Sequence, residues 1–204
     1  MTSSIALVLF DMEGVLSHYD RAARVNALAA LTGQTPDTVR HAIWGSGLEA
    51  RADAGEISDE VYLRELGTAL RYPVTADEWL SARHASITPD HDVLALASHV
   101  AERCSIGVLT NNCRLLTQNI GFLNPPVALL FGKHVYASAE FGAAKPASEP
   151  YIGCVQRLGV AADQTLFIDD TPANVEGAMR AGLQGYRFVD VAGLADEFRR
   201  VQLL

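Results

Sequence analysis

The sequence predicts an α/β protein: a doubly wound parallel sheet with a small all-helical cap inserted after the first strand. Short apolar runs rich in β-branched residues alternate with segments of helical periodicity, which is typical of such sheets. One interval between runs is much longer than the others and is helical throughout. The length of 204 residues suits a single domain with an insertion of this size.

Four apolar runs have the composition of strands that are buried on both faces, as in a parallel sheet. We assign these strands to Ile5–Phe10, Ile106–Thr110, Thr165–Ile168 and Gly185–Val189. A weaker run predicts a further strand at His134–Ala137. The helical patterns between the later strands are Asp92–Glu102, Arg114–Phe122, Glu149–Leu158 and Pro172–Ala181. Strands and helices therefore alternate as a sheet with helices on both faces requires.

The interval between the first two strands carries only helical signals. Its predicted helices are Arg21–Leu31, Pro36–Trp44, Asp59–Leu70 and Ala76–Ala85. Thr35, Ser58 and Thr75 precede three of them as N-caps. We therefore divide the chain into an α/β core, residues 1–17 and 90–204, and a helical cap subdomain, residues 18–89. The cap is expected to lie over the carboxyl edge of the sheet as a lid.

Charge and composition restrict the class of partner. The chain has 24 acidic and 16 basic residues, a net charge of -8, which argues against nucleic acid because phosphate-backbone binding needs clustered Lys and Arg. The apolar run near the N-terminus is too short for a membrane span or a signal peptide. Three cysteines without a CxxC pattern indicate a reducing compartment, so we expect a cytoplasmic protein.

Polar residues follow the ends of the predicted strands. The carboxyl ends of parallel strands meet at one edge of the sheet, which is where open α/β sheets bind their ligands. Each group alone is also typical of a polar turn or a helix cap, but together they indicate one site. The residues are Asp11 and Glu13, Thr110, Asn111 and Asn112, Lys145 in a later loop, and Asp169, Asp170 and Asn174.

These motifs give the chain a family resemblance over nearly its whole length. FDMEGV, VLTNN, AAKP and FIDDTPANVEGA occur in the order and at the intervals of the haloacid dehalogenase superfamily, whose members react through an aspartate. The chain resembles the subgroup with a small helical cap and a Rossmann-like core. AGEISDEVY and the later motifs look closest to bacterial sugar-phosphate phosphatases and the phosphatase domain of soluble epoxide hydrolases.

The resemblance implies a Mg²⁺-dependent phosphatase that hydrolyses a small phosphorylated metabolite. It implies Asp11 as the nucleophile that forms an aspartyl-phosphate and Glu13 as the acid/base. The catalytic set is completed by Thr110 and Lys145. The implied phosphate-binding residues are Thr110, Asn111, Lys145 and Asn174, and the implied metal ligands are Asp11, Glu13 through its backbone carbonyl, Asp169 and Asp170.

Glu13 departs from the pattern, because phosphatases of this family usually carry Asp two places after the nucleophile. The reference pKa values of Glu and Asp are similar, about 4.3 and 3.9, so the change is one of reach. A misplacement of about 1 Å in a catalytic group can cost on the order of 100-fold in rate. The alternatives left open are an attenuated or non-catalytic phosphate-binding module, a 2-haloacid dehalogenase and a phosphomutase.

The cap is expected to select the substrate, since the core motifs handle only the phosphoryl group. His18, Tyr19, Trp44 and Arg51 are candidates to face the cleft. Each also has an ordinary interpretation: Trp44 as core of the helical block and Arg51 as a solvated ion pair.

Overall fold

A computed structural model describes residues 4–204. Within this range the chain forms seven strands, listed in chain order: β1 Leu7–Phe10, β2 Ser17–Tyr19, β3 Ile87–Pro89, β4 Ser105–Thr110, β5 Val135–Ala137, β6 Thr165–Asp169 and β7 Gln184–Arg187. Five of them form a parallel sheet in the order β5-β4-β1-β6-β7. The predicted doubly wound α/β fold is confirmed.

Helices flank this sheet and fill the long interval after β2. The α-helices of residues 4–204 are α1 Arg21–Thr32, α2 Pro36–Arg40, α3 Leu48–Asp53, α4 Asp59–Leu70, α5 Ala76–His84, α6 His91–Ala101, α7 Arg114–Gln118, α8 Ile120–Leu123, α9 Pro125–Phe131, α10 Ser148–Leu158, α11 Pro172–Arg180 and α12 Val191–Arg200. None of them is both long enough and apolar enough to cross a membrane.

The register of the central strands brings the polar residues to one edge. Phe10, the last residue of β1, pairs with Val108 of β4 on one side and with Ile168 of β6 on the other. The residues that follow this pair along the chain, Asp11 after β1 and Asp169 at the end of β6, therefore lie side by side. The amide of Asp11 donates a hydrogen bond of 2.8 Å to the carbonyl of Ile168, which extends the ladder to this point.

Alternation along β1 divides the core into two layers. Val8 and Phe10 face the side covered by α6, α9 and α12, where the Phe10 ring makes edge contacts with Phe131 and Phe198. Leu7 and Leu9 face the opposite layer, which contains α10 and α11. Both layers bury these strand residues completely, which explains why the strand is apolar at every position rather than at alternate ones.

The segment between β1 and α6 is joined to the sheet through a two-stranded ribbon. β2 leaves the sheet region and β3 returns to it, and the two pair antiparallel, with Ser17 opposite Pro89 and Tyr19 opposite Ile87. Between them lie α1 to α5, which share an interior of buried apolar residues that includes Leu28, Ile43, Leu66 and Trp79. The division into core and cap at residues 17/18 and 89/90 stays a prediction.

Several predicted elements differ in detail from those of the structure. The interval is not helical throughout, because β2 and β3 cross it at both ends. The predicted helix Pro36–Trp44 is α2 followed by a wider, π-type turn at His41–Gly45. The predicted helix Arg114–Phe122 is interrupted at Asn119, whose backbone is not helical. The short α3, with α9 and α12, was not expected from the sequence; α3 is little more than one turn and shows no clear periodicity.

Candidate active site

A cleft of about 500 Å³ lies between the carboxyl edge of the sheet and the helical segment. We call the sheet-edge groups Asp11, Lys145, Asp169 and Asp170 the cleft floor. Asp11 follows β1 directly, Asp169 ends β6, and Asp170 is the next residue. Lys145 arrives from the loop before α10. The strand ends fix all of the carboxylates relative to the backbone of the sheet.

Lys145 is the cation of the floor. Its Nζ donates to Asp11 Oδ1 at 2.7 Å, to Asp169 Oδ2 at 2.8 Å and to the carbonyl of Leu109 at 3.0 Å. The side chain is 1% exposed, and these three acceptors match the three protons of its ammonium group. Burial lowers the pKa of Lys145, but the two carboxylates outweigh that effect and raise the pKa above its ordinary value. Lys145 therefore remains charged.

Asp11 lies in an environment that disfavours its charge. Burial is the main cause, and the neighbouring carboxylate of Asp169 adds to it, while Lys145 acts in the opposite direction. Together these effects raise the pKa of Asp11 from 3.8 to about 8. Burial and Asp169 also raise the pKa of Asp170. Lys145 alone therefore does not compensate the charge that all three carboxyls would carry when ionised, and an additional cation would favour their ionised form.

Besides Lys145, two groups that follow β6 hold the Asp169 carboxylate. The backbone N–H of Thr171 donates to Oδ1 at 2.8 Å, and Asn174 Nδ2 donates to Oδ2 at 3.0 Å. Asn174 lies in the first turn of α11, so the helix start and the strand end are joined at this carboxylate. The side chain is fully buried and cannot reorient without breaking these contacts.

Gly14 leaves space for the carboxylate of Asp170. Its φ is +97°, in the left-handed region where glycine is favoured. A Cβ at this position would lie 2.5 Å from Asp170 Oδ2. The absence of a side chain at Gly14 therefore lets the turn after β1 approach Asp170 closely.

The donor set of the floor suits a hard divalent cation. Oxygens of Asp11, Asp169 and Asp170 all lie within 4.8 Å of one another. Carboxylate oxygens are the ligands that Mg²⁺ and Ca²⁺ prefer, and an ion there would stabilise the ionised form of these carboxyls. The residues present fit such a metal. The backbone carbonyl of Glu13 as a further ligand stays a prediction.

The carboxylate of Glu13 is bound by three side chains. Arg83 of α5 forms a short ion pair with Oε1, while Thr110 Oγ1 and Asn112 Nδ2 donate to Oε2 at 3.0 Å and 2.8 Å. Arg83 is 2% exposed and also donates to Asn112 Oδ1 at 2.9 Å. Glu13 therefore connects the turn after β1 to the helical segment above it.

Four charged groups of the helical segment, at the cleft or directly behind it, are named the cleft roof: Arg24, Glu49, Asp53 and Arg83. Glu49, Asp53 and Arg83 line the cleft, as does Arg21 of α1, and Arg24 lies buried behind Glu49 as its partner. Arg24 of α1 is fully buried and donates from Nη2 to Glu49 Oε2 at 3.0 Å and to the Tyr62 hydroxyl at 3.0 Å. Burial raises the pKa of Glu49, but Arg24 outweighs that effect, and the net shift is downward. The pair is therefore ionised inside the helical segment.

The structure brings the sequence-predicted site residues together. Asp11, Glu13, Thr110, Asn111, Lys145, Asp170 and Asn174 line the cleft, and Asp169 lies buried beneath it. The side chain of Asn111 exchanges hydrogen bonds with the backbone of Lys145, at 2.8 Å and 2.9 Å, and so fixes the lysine loop. The roles predicted for these residues stay predictions.

The four candidates for substrate selection divide evenly. Tyr19 and Trp44 line the cleft. His18 has a side chain that is 75% exposed and faces Asp90, and Arg51 forms an exposed pair with Glu65 at 2.8 Å. Neither His18 nor Arg51 lines the cleft. Arg51 is instead part of a solvated ion pair, which is the alternative interpretation of this residue.

The roof residues were missed by sequence reasoning. A signal was present for two of them, because Arg24 and Arg83 each lie four residues from a buried apolar residue of the same helix, Leu28 and Trp79. An arginine on the core-facing side of a helix needs a buried anionic partner. Asp53 carried no such signal, since its helix was not predicted.

Fold and site together define a protein of the doubly wound α/β class with an acidic, lysine-containing site at the carboxyl edge of its sheet. The chain belongs to the family of haloacid dehalogenase-like hydrolases, whose family model matches residues 5–182. The match spans β1 to the end of α11 and so includes every residue of the floor.

Comparison with individual proteins agrees with this family. The chain is 30% identical over 198 residues to Phosphatase MT3486 of Mycobacterium tuberculosis, covering 93% of this chain and 89% of that protein. It shares its fold with HAD family enzyme bt-2542 of Bacteroides thetaiotaomicron, solved in complex with magnesium and inorganic phosphate (TM-score 0.78, 21% identity, 93% and 98% of the two chains). A 2-haloacid dehalogenase of Pseudomonas syringae also shares the fold (TM-score 0.71, 18% identity, 96% and 99%).

Proposed function

We propose that this protein is a Mg²⁺-dependent phosphatase that hydrolyses a small phosphorylated metabolite through an aspartyl-phosphate on Asp11. The observation that carries the proposal is the floor itself, where the oxygens of Asp11, Asp169 and Asp170 lie close together and a single buried lysine pairs with two of the three carboxyls. The phosphatase name of the M. tuberculosis relative and the magnesium and phosphate bound to the B. thetaiotaomicron enzyme support the same chemistry.

Asp11 is the proposed nucleophile, attacking phosphorus and displacing the leaving oxygen. Bound Mg²⁺ would supply charge neutralisation between the carboxylate and the phosphoryl group. Asp11, Asp169 and Asp170, with the backbone carbonyl of Glu13, are the proposed ligands. Lys145 remains positively charged beside Asp11 and is placed to stabilise the charge of the phosphoryl oxygens.

The neighbouring polar residues have positioning roles in this proposal. Asn111 holds the backbone of Lys145, and Asn174 holds Asp169, so both act on the phosphate site through a charged neighbour. The Thr110 hydroxyl lines the cleft and donates to Glu13, and we propose that it also contacts the phosphoryl group. These contacts limit the movement of the reacting groups.

Glu13 is the proposed proton carrier for the leaving oxygen and then for water. Its extra methylene, relative to the Asp usual at this position, allows the carboxylate to contact Arg83 on the helical segment. The arrangement supports an acid/base whose position depends on the cap. We also propose that residues 18–89 form this cap, and that a sugar phosphate is the substrate, as the branch resemblance implies.

An attenuated phosphate-binding module is the second candidate, favoured by one observation. Arg83, Thr110 and Asn112 all face the Glu13 carboxylate, and two of these side-chain groups can only donate hydrogen bonds to it. A carboxylate held in this way serves as a structural anchor even without proton transfer. The two candidates differ in turnover and not in phosphate binding.

Release of phosphate from an aryl phosphate, measured with Mg²⁺ and with EDTA, tests the proposal. A phosphatase gives metal-dependent turnover that Asp11→Asn abolishes. The exposed Asp37, in the same chain but outside the cleft, provides the control variant Asp37→Asn, which retains activity. Phosphate binding by calorimetry without turnover would favour the module. Metal-independent halide release from a 2-haloacid would instead assign the dehalogenase reaction.

A further inference from the structure

Asp53 is the roof acid at the end of α3, and its backbone is fixed relative to the sheet. It is the last residue of α3 and lines the cleft above the floor. Its backbone carbonyl accepts a hydrogen bond of 2.6 Å from Ser138 Oγ, in the segment that follows β5. This contact ties the end of α3 to the sheet, so that Asp53 has a defined position relative to the floor.

The two acids of α3 differ in how they are satisfied. Glu49, one turn earlier, accepts hydrogen bonds from Arg24 and from the Tyr62 hydroxyl. The Asp53 carboxyl accepts no side-chain or backbone hydrogen bond from residues 4–204, although it faces the same cleft. Arg83, the roof cation on α5, is already bound to Glu13 and Asn112. Asp53 is therefore the roof acid with free acceptor oxygens.

Leaving this carboxyl without a donor is costly. Burial raises the pKa of Asp53 well above its ordinary value, and the nearby Glu49 adds to the effect, while Arg83 and Arg24 act in the opposite direction. A partly desolvated polar group gains free energy when a ligand provides the missing hydrogen bond. A ligand in the cleft that carries a donor on the side away from the phosphate would provide it.

We propose that Asp53 is a specificity-determining residue that binds a hydrogen-bond donor, a hydroxyl or an ammonium group, on the leaving group of the phosphate ester. The assignment rests on the proposed phosphatase function, since the floor has to hold the phosphoryl group while Asp53 contacts the other end. Tyr19 and Trp44 line the same cleft and offer ring surfaces to the carbon chain between the two ends. Plain alkyl phosphates lack the donor and are poorer substrates.

The test uses alkyl phosphates from ethyl to hexyl, each ending in a methyl, a hydroxyl or an ammonium group. For each chain length, kcat/KM of the hydroxyl and ammonium esters is divided by that of the methyl ester. The ratio cancels changes that affect the phosphoryl site alone. We expect the parent to prefer one donor-bearing ester, and Asp53→Ala to reduce that preference by about 10-fold or more, as loss of a hydrogen bond to a charged group does.

Two further variants sharpen the result. Asp53→Asn keeps the size and an acceptor oxygen, so it retains part of a preference for hydroxyl and loses a preference for ammonium, which identifies the donor. Asp37→Ala, an exposed acid of the helical segment, leaves the ratios unchanged. Equal ratios in parent and Asp53→Ala, with phosphate still released, would overturn the role of Asp53 and leave the phosphatase intact. Failure of the parent to hydrolyse any of the esters or the aryl phosphate would overturn both.

Discussion

The floor and the roof of the cleft are both rich in charged side chains, but they arrange their charges differently. In the roof, Arg24 pairs with Glu49, and Arg83 pairs with Glu13 across the cleft, so the buried cations each have an anionic partner. In the floor, Lys145 is shared by Asp11 and Asp169, with Asp170 close by. Each buried roof cation thus has its own acid, while three floor carboxyls have one lysine among them.

This difference distinguishes charged side chains that stabilise the fold from charged side chains that are expected to react. A balanced buried pair loses stability when one partner is removed, because the other is left uncompensated. An unbalanced cluster destabilises the fold until a cation or a substrate arrives, and such environments are typical of functional sites. Substitutions of the paired roof groups are therefore expected to act on stability, and those in the floor on activity.

The largest effect expected is in the floor. Asp11→Asn should reduce phosphate release by at least about 1,000-fold, because an amide is a far weaker nucleophile and metal ligand than a carboxylate. Steady-state release of phosphate measures the loss, and circular dichroism checks that the fold is intact. Turnover within a few-fold of the parent would remove Asp11 from the centre of the reaction.

The next effect is in the roof. Arg83→Ala should lower the free energy of unfolding by about 3–5 kcal/mol, since Glu13 then remains without its cation. Arg40→Ala, which removes an exposed pair with Asp37, should change it by less than about 0.5 kcal/mol. Urea unfolding measures both. Equal losses in the two variants would mean that burial of the roof pair adds nothing to stability.

Glu13 belongs to both regions, and its substitution shows which role prevails. If Glu13 is the proton carrier, Glu13→Gln should hydrolyse alkyl phosphates about 100-fold more slowly, because their leaving oxygen needs a proton. The first step on aryl phosphates should be affected much less. Rapid-mixing kinetics should then show a burst as phospho-enzyme accumulates. A similar reduction on both substrate types would assign Glu13 to the roof alone, as the anchor of Arg83.

The smallest expected effect concerns pH in the absence of metal. Folding raises the pKa of Asp11 from 3.8 to about 8, so the folded protein holds this proton more tightly than the unfolded chain. The stability this contributes is complete below pH 3.8 and is lost as the pH rises through about 8. Relative to Asp11→Asn, the parent should therefore lose on the order of 1 kcal/mol or more across this range. Thermal unfolding of both proteins in EDTA tests it, and parallel curves would contradict it.

The floor could be predicted from sequence because local pattern determines it. Its acids come at or directly after the ends of β1 and β6, two largely apolar strands, and strand ends in a parallel sheet share one edge. The sequence therefore predicts that Asp11 and Asp169 lie together. The pairing of Phe10 with Ile168 then places the two acids side by side.

The roof could not be predicted in the same way, because its contacts depend on how helices pack. Arg83 meets Glu13 across 70 residues of chain, and no spacing rule links the two positions. Asp53 lies on α3, a six-residue helix begun by Gly47 without a side-chain cap. A helix this short depends on tertiary contacts for its stability, so propensity and periodicity give little sign of it.

The ribbon formed by β2 and β3 has a consequence for how proteins of this kind diversify. The chain departs at Ser17 and returns at Pro89, and these two residues are paired neighbours. The chain therefore enters and leaves the helical segment at one place beside the sheet. A shorter, longer or unrelated segment can replace it without altering the strand order of the sheet. Evolution can thus exchange the helical segment while the carboxyl edge of the sheet is inherited unchanged.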